Sequence, residues 1–126
     1  MIYSDRRLVA TLFFLGTVSV VAPFRSVSAA SSAQDVYKEA QLQESTARNP
    51  DEAIRLYEEF LKQPGTDRTT QAGAYLHVGL CESRLGRNDA AKTAWKKVVQ
   101  DYSDQSDSYA EALNQLQKIQ VSVKRI

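Results

Sequence analysis

The residues of this sequence that could do chemistry are few. His77 is the only histidine and Cys81 the only cysteine, so the chain lacks the combination of His and Cys ligands that builds a zinc site. Ser83 follows His77 closely enough for a base to approach a hydroxyl, but no nucleophile elbow or oxyanion loop accompanies the pair. The five glycines form no phosphate-binding motif. We therefore predict no catalytic residues, no metal and no other cofactor, and we expect Cys81 to pack rather than react.

The first 29 residues have the layout of a secretory signal peptide. Arg6 and Arg7 precede an uncharged stretch over residues 8–24, and small residues follow it. Val27 and Ala29 suit the two narrow subsites of the signal peptidase, so we predict cleavage after Ala29, with Ala30 and Ala33 as close alternatives. No cysteine lies directly after the apolar stretch, which argues against a lipoprotein signal. The sequence therefore predicts export to the periplasm or cell envelope.

Two alternatives for this segment stay open. The 17 uncharged residues 8–24 reach the lower limit of about 17–25 residues for a membrane-spanning helix, which would make the segment a retained anchor. The Arg6-Arg7 pair also permits a twin-arginine signal, although Asp5 stands where that signal prefers a small polar residue. Our leading prediction is a signal peptide over 1–29, followed by one domain over 30–126.

Charge argues against a nucleic-acid partner. The full chain has 16 Lys and Arg against 15 Asp and Glu, and residues 1–29 hold three Arg and one Asp, which leaves 13 basic and 14 acidic residues. Binding of the phosphate backbone relies on an excess of positive charge. A nucleic-acid partner held by an excess of positive charge is therefore disfavoured.

The mature sequence is helical in pattern, with breakers only at intervals. The predicted helices span residues 33–47, 51–62, 68–85, 89–101 and 106–122. We predict that Asn49 caps the second helix, with Pro50 at its first position and Glu52 bonding back to the cap. Gly86 is predicted to end the third helix in a left-handed conformation, and Asn88 to cap the fourth.

Each helix carries apolar residues at spacings of three and four. In the second helix these are Ala53, Ile54, Leu56, Tyr57, Phe60 and Leu61, and in the fourth they are Ala91, Ala94, Trp95, Val98 and Val99. On the opposite side of the second helix, Glu58 and Lys62 predict a surface ion pair. Short helices are marginal alone, so each must bury its stripe against a neighbour, and short loops make successive helices antiparallel. The fold class is therefore all-α.

The helical hairpins repeat. Tyr37, Tyr75 and Tyr109 fall at equivalent points of the first, third and fifth helices, at separations of 38 and 34 residues, and Ala53 and Ala91 are again 38 apart. The chain is thus predicted to contain two helix-turn-helix units and a closing helix.

The second unit, residues 72–105, resembles the tetratricopeptide repeat family. The residues that carry the resemblance are Tyr75, Gly79, Gly86, Ala91 and Trp95. The first unit, residues 34–67, keeps Tyr37, Ala53 and Tyr57 but has Gln41 where a small residue is expected. The resemblance implies a short right-handed α-solenoid in which these positions serve packing, so we expect Trp95 to lie in the core.

The sequence is similar in style to exported bacterial envelope members of this family, which act as interaction scaffolds. The resemblance implies that a partner segment binds in the concave face formed by the first helices of the repeats. The groove residues implied in this chain are Lys38, Leu42, Leu76, His77, Leu80 and Ser83.

Two alternatives concern this groove and its use. Only Lys38 matches the family's carboxylate clamp, so we predict an apolar anchor held by Leu76 and Leu80, unless these leucines pack against the chain's own fifth helix. The leading function is a non-enzymatic module that binds a protein partner. The alternative is a structural subunit that self-associates through its open repeat ends.

Overall fold

The structure is a computed structural model that describes residues 32–125. The predicted signal peptide over residues 1–29 lies outside the described residues, and its cleavage stays a prediction. This part of the chain contains five helices and no strand, and the helices are α1 (Ala33–Ser45), α2 (Pro50–Leu61), α3 (Arg68–Arg84), α4 (Asn88–Asp101) and α5 (Ser106–Lys124). The predicted all-α class is confirmed, and every helix end lies within two residues of its predicted position.

Side chains cap the first three helices. Ser32 and Asp35 form a reciprocal capping box at the start of α1. Asn49 Oδ1 accepts a hydrogen bond from the Glu52 backbone N–H at 3.3 Å, which confirms the predicted cap of α2. Asp67 caps α3 in the same way.

Two predicted contacts of α2 are wrong, and Arg55 is the reason for one of them. The Glu52 carboxylate does not return to the cap but accepts hydrogen bonds from Arg55 Nε and Nη2 at 3.0 and 2.7 Å. A charged guanidinium makes a stronger hydrogen bond than a neutral backbone amide. Arg55 Nη1 also bonds Glu59 at 3.0 Å. Glu58 and Lys62 form no ion pair, because Lys62 is already the residue that ends the helix.

The start of α4 also differs from the prediction. Asn88 is the first helical residue, and Arg87 occupies the cap position without a capping side-chain hydrogen bond. Gly86 has the predicted left-handed conformation, with φ of 79°, which turns the chain after α3. The Arg87 guanidinium instead reaches Asp51 at 2.8 Å and Glu82 at 3.2 Å, so it ties α4 to both preceding helices.

One apolar cluster joins α1, α2 and α3 and includes Ala94 of α4. Tyr57 and Phe60 are fully buried there, and the Tyr37 ring lies 5.5 Å from Tyr57 and 5.2 Å from Phe60 between ring centroids. The buried members are Val36, Ala40, Ala53, Ile54, Leu56, Tyr57, Phe60, Ala74, Val78, Cys81 and Ala94. The stripe predicted for the second helix is therefore the core of the first hairpin.

A second cluster joins α3, α4 and α5. Its buried members are Ala72, Ala91, Trp95, Val98, Tyr102 and Ala112. Trp95 is fully buried, which confirms the prediction that it is a core residue. A Cβ atom on Gly79 would lie 2.6 Å from Trp95 Cδ1, so the small residue of α3 makes room for the indole of α4.

Polar contacts lock the second hairpin to the turn before α5. Arg68 at the start of α3 binds Asp104 with Nη2–Oδ1 at 2.8 Å, and the Tyr102 hydroxyl donates to Gln71 Oε1 at 3.0 Å. The described residues thus form consecutive antiparallel hairpins in a short α-solenoid. Both apolar clusters are built from residues of these five helices and the turns between them.

Candidate partner-binding surface

Helix α3 lies at the centre of the domain and packs against α2, α4 and α5. Residues three or four apart share a face of a helix, so α3 presents different side chains to each neighbour. Leu76 and Leu80 face the cluster of α4 and α5. His77 faces α1 and α2, while Val78 and Glu82 line a groove between α2 and α4.

Leu76 and Leu80 are half-buried. They pack against the second apolar cluster, which contains Trp95. Leu116 and Ile119 of α5 also pack against this cluster. The cluster includes Ala112 of α5, so both leucines pack on a core to which the fifth helix contributes. A role for them as partner anchors stays a prediction.

Lys38 and Leu42 lie one turn apart on α1 and are exposed. Leu42 keeps 49% of its surface accessible, and it is one of three large apolar residues exposed in the described part of the chain. Of the predicted groove residues, these two are the ones that the domain leaves uncovered.

His77 and Glu44 bring α3 and α1 together over α2. His77 Nδ1 lies 2.9 Å from Glu44 Oε2, an ion-pair distance without hydrogen-bond alignment. The imidazole also stacks on the Tyr57 ring, with 5.4 Å between centroids and 11° between planes. The Tyr57 hydroxyl donates to Glu44 Oε2 at 2.9 Å, and Arg84 Nη1 lies 3.3 Å from Glu44 Oε1. Three partners therefore converge on one carboxylate.

The contacts of Glu44 favour the deprotonated, charged form of its carboxyl group. Burial by itself would raise the pKa of Glu44, but contacts with His77, Tyr57 and Arg84 outweigh it and hold the pKa below its ordinary value. Burial first, and the Glu44 carboxylate second, raise the pKa of Tyr57 far above its ordinary value. At neutral pH a protonated Tyr57 thus donates to a deprotonated Glu44, and the pair holds helices together.

The remaining polar candidates do not assemble a reactive group. Ser83 is half-buried, and its hydroxyl makes no hydrogen bond to any described residue, while His77 turns toward Glu44. Within residues 32–125, no group of three or more His, Cys, Asp and Glu side chains is placed to hold a metal ion. Cys81 is buried, and burial raises the pKa of its thiol to about 12. Its predicted packing role is confirmed.

Two cavities adjoin the Glu44 cluster between α1 and α3. Their volumes are about 380 and 300 Å³, and both are lined by Glu44, Ser45 and Arg84. Arg48 adds a second cation to the larger one. Sequence analysis missed both arginines because the family register does not place them on the inner face. The available signal was the spacing of seven residues between His77 and Arg84, which puts them two turns apart on one side of α3.

A larger groove lies on the other side of α3, between α2 and α4. We call it the α2–α4 groove. It encloses about 550 Å³ and is lined by Glu58, Leu61, Tyr75, Val78, Glu82, Ala90, Thr93, Ala94, Lys96, Lys97 and Gln100. Sequence analysis missed this groove because it considered only the first helices of the repeats. The pair of small residues Ala90 and Ala94, one turn apart on α4, was the signal that could have shown it.

Comparison with known proteins supports the predicted register. Residues 73–104 match the model of the tetratricopeptide repeat family, within one residue of the unit predicted at 72–105. No curated protein and no solved structure matches the chain. None of the described helices combines the length and the apolar character needed to cross a membrane. The matched segment spans α3 and α4, so this hairpin is a tetratricopeptide repeat, and the packing of the successive helical hairpins is that of a tetratricopeptide-like α-solenoid.

Proposed function

We propose that the chain is an exported, non-enzymatic interaction module that holds a segment of a partner protein against α1 and α3. The tetratricopeptide repeat supports the binding of a protein or peptide. The observation that carries the choice of surface is the exposed Leu42 side chain on α1, the same helix whose Glu44 and Ser45 line the two cavities together with Arg84. An apolar contact next to polar pockets is a common anatomy of protein interfaces.

The residues of this surface suggest how a partner is held. Leu42 offers an apolar contact, while Arg48 and Arg84 offer cations to a carboxylate or carbonyl of the partner. Arginine is enriched among the few residues that supply most of the binding energy in protein interfaces. A partner segment with one apolar side chain followed by an acidic group fits this arrangement.

Site-specific crosslinking tests this surface. A photoreactive amino acid at position 42, in protein expressed in its native host, should yield an adduct with the partner. The matched control is the photoreactive amino acid in place of Lys62, which is exposed at the end of α2. An adduct that depends on Arg84 and is missing from position 62 supports the proposal. Equal adducts from both positions, or none from position 42, contradict it.

Export is the second part of the proposal, and residues 6–29 support it by their sequence. The N-terminus of protein isolated from its native host should lie near Ala30. Intact Met1 on protein from a soluble cytosolic fraction would contradict export. An intact N-terminus in the membrane fraction would instead support the retained anchor.

Self-association is a second candidate, and two valines favour it. Val121 and Val123 near the end of α5 are 50% and 61% exposed. Exposed apolar side chains in a repeat protein are candidates for stacking on another copy. Light scattering of residues 30–126 over a range of concentrations separates the candidates, because a pure binding module keeps the monomer mass throughout.

A further inference from the structure

The α2–α4 groove and the end of α5 are apolar surfaces that the partner site at α1 and α3 does not use. The apolar residues that line the groove include Leu61, Tyr75, Val78 and Ala94. Its volume of about 550 Å³ lies within the range of roughly 300–1,000 Å³ typical of pockets that bury a ligand. The groove can therefore take more than a single side chain.

The end of α5 has a shape that suits a groove. We call residues 118–125 the α5 tip. Val121 and Val123 are both exposed in it, and residues two apart do not share a face of a helix. The tip is thus apolar on two sides, which fits insertion between two walls better than packing on a flat surface.

The charges of the two surfaces are complementary along one wall. Lys118, Lys124 and Arg125 of the tip form no ion pair with any described residue, and α5 has no acidic residue after Glu111. Along the α2 and α3 side, the groove carries the carboxylates of Glu58 and Glu82. Glu82 is paired with Arg87 at 3.2 Å, whereas Glu58 makes no ion pair with a described residue.

The opposite wall of the groove is less repulsive than its two lysines suggest. Lys97 is neutralised by Asp101, with Nζ–Oδ2 at 2.5 Å, which leaves Lys96 as the cation on α4 without an ion pair to a described residue. A cationic helix end would therefore enter with its charges beside Glu58 and away from Lys96.

We propose that the α5 tip of one copy inserts Val121 and Val123 into the α2–α4 groove of a second copy. The two surfaces are different parts of the same chain, so the contact is heterologous and successive copies add head to tail. The inference rests on self-association, the second candidate function, and names the surfaces that carry it.

Sedimentation equilibrium of residues 30–126 tests the apolar contact. The average mass of the wild-type protein should rise from micromolar to millimolar concentration, and Val121→Asp should abolish the rise. Asn114→Asp places the same charge two turns earlier on α5 and should leave the association intact. Circular dichroism of both variants shows that the helices are retained.

A charge swap tests the orientation. Glu58→Lys should weaken association several-fold, and so should the double variant Lys124→Glu with Arg125→Glu, because each places like charges together. The three changes combined should restore association to near the wild-type level. Glu39→Lys, a charge reversal on the exposed surface of α1, is the matched control and should have no effect.

Three outcomes would overturn the inference. A wild-type protein that stays monomeric up to millimolar concentration excludes it, and so does association that Val121→Asp leaves unchanged. A photoreactive amino acid at Thr93 in the groove that crosslinks to another protein, or to the N-terminal segment of the full chain, assigns the groove to that occupant. A monomer that still crosslinks its partner from position 42 would refute this inference and leave the proposed binding function standing.

Discussion

The indole of Trp95 occupies the space that a side chain on Gly79 would need. A Cβ atom there would lie 2.6 and 2.7 Å from Cδ1 and Cε2 of the ring. The indole Nε1 donates a hydrogen bond at 3.2 Å to the backbone carbonyl oxygen of Leu76, which lies on α3 as Gly79 does. This contact therefore determines both the distance between α3 and α4 and the direction of the ring.

Gly79→Ala should destabilise the protein. Replacing a helical glycine with alanine gains about 1 kcal/mol in helix propensity, but overpacking a buried contact costs roughly 1–3 kcal/mol. The Trp95 ring is buried and hydrogen-bonded, so it has little freedom to yield. Urea denaturation of residues 30–126 should show lower stability.

Gly73→Ala is the matched control for this change, in the same helix. Its Cβ would meet only the Tyr37 hydroxyl at 3.0 Å, the end of a side chain that can shift. If Gly79→Ala and Gly73→Ala lose the same stability, the contact with the Trp95 indole is not the reason why position 79 requires glycine.

Ala91→Leu should also overpack the second cluster. Ala91 is fully buried beside Trp95 and Val98, so the larger side chain should lower the unfolding free energy by roughly 1–3 kcal/mol. Thermal unfolding followed by circular dichroism measures the effect. Ala90→Leu, on the exposed neighbouring position, should change the midpoint little. A wild-type midpoint for Ala91→Leu would show that the repeat register is wrong.

Glu44 should contribute stability at neutral pH that is lost in acid. The pKa of its carboxyl is lower in the folded chain than its ordinary value of 4.5. A depressed pKa stabilises the folded state above the unfolded value, and the contribution fades as pH falls through the folded value. Glu44→Gln should therefore be less stable than wild type at neutral pH, and the difference should shrink below pH 4.5.

Denaturation curves over this pH range provide the measurement for Glu44→Gln. Glu58→Gln removes a carboxylate that is exposed and makes no ion pair with a described residue, so its curve should follow that of wild type. A stability gap for Glu44→Gln that is independent of pH would contradict a role for the charge.

Cys81 should resist alkylation in the folded protein. Burial raises the pKa of its thiol to about 12, and the side chain has no accessible surface. The thiolate is the reactive form, so modification at pH 8 should be slow in buffer and rapid in denaturant. Mass spectrometry of the alkylated chain follows both rates. Rapid modification without denaturant would show that α3 opens from α1 and α2.

The sequence alone determined the helices and the repeat. Breakers such as Pro50 and Gly86 act on their own segment of chain, and the apolar spacing within each helix indicates which stripe must be buried. The small residues Gly79 and Ala91 also revealed the family register, because close packing admits few residue types at such positions.

The tertiary structure alone decided which neighbour each side of α3 meets. Glu44 and His77 are 33 residues apart, and their contact depends on how α1 and α3 rotate about their own axes as they pack. The same rotation packs Leu76 on the cluster that contains Trp95 and leaves a groove beside Val78. The spacing of apolar residues defines which stripe of each helix is buried. It does not define which neighbouring helix the stripe packs against, because ridges and grooves of similar helices fit one another in several ways.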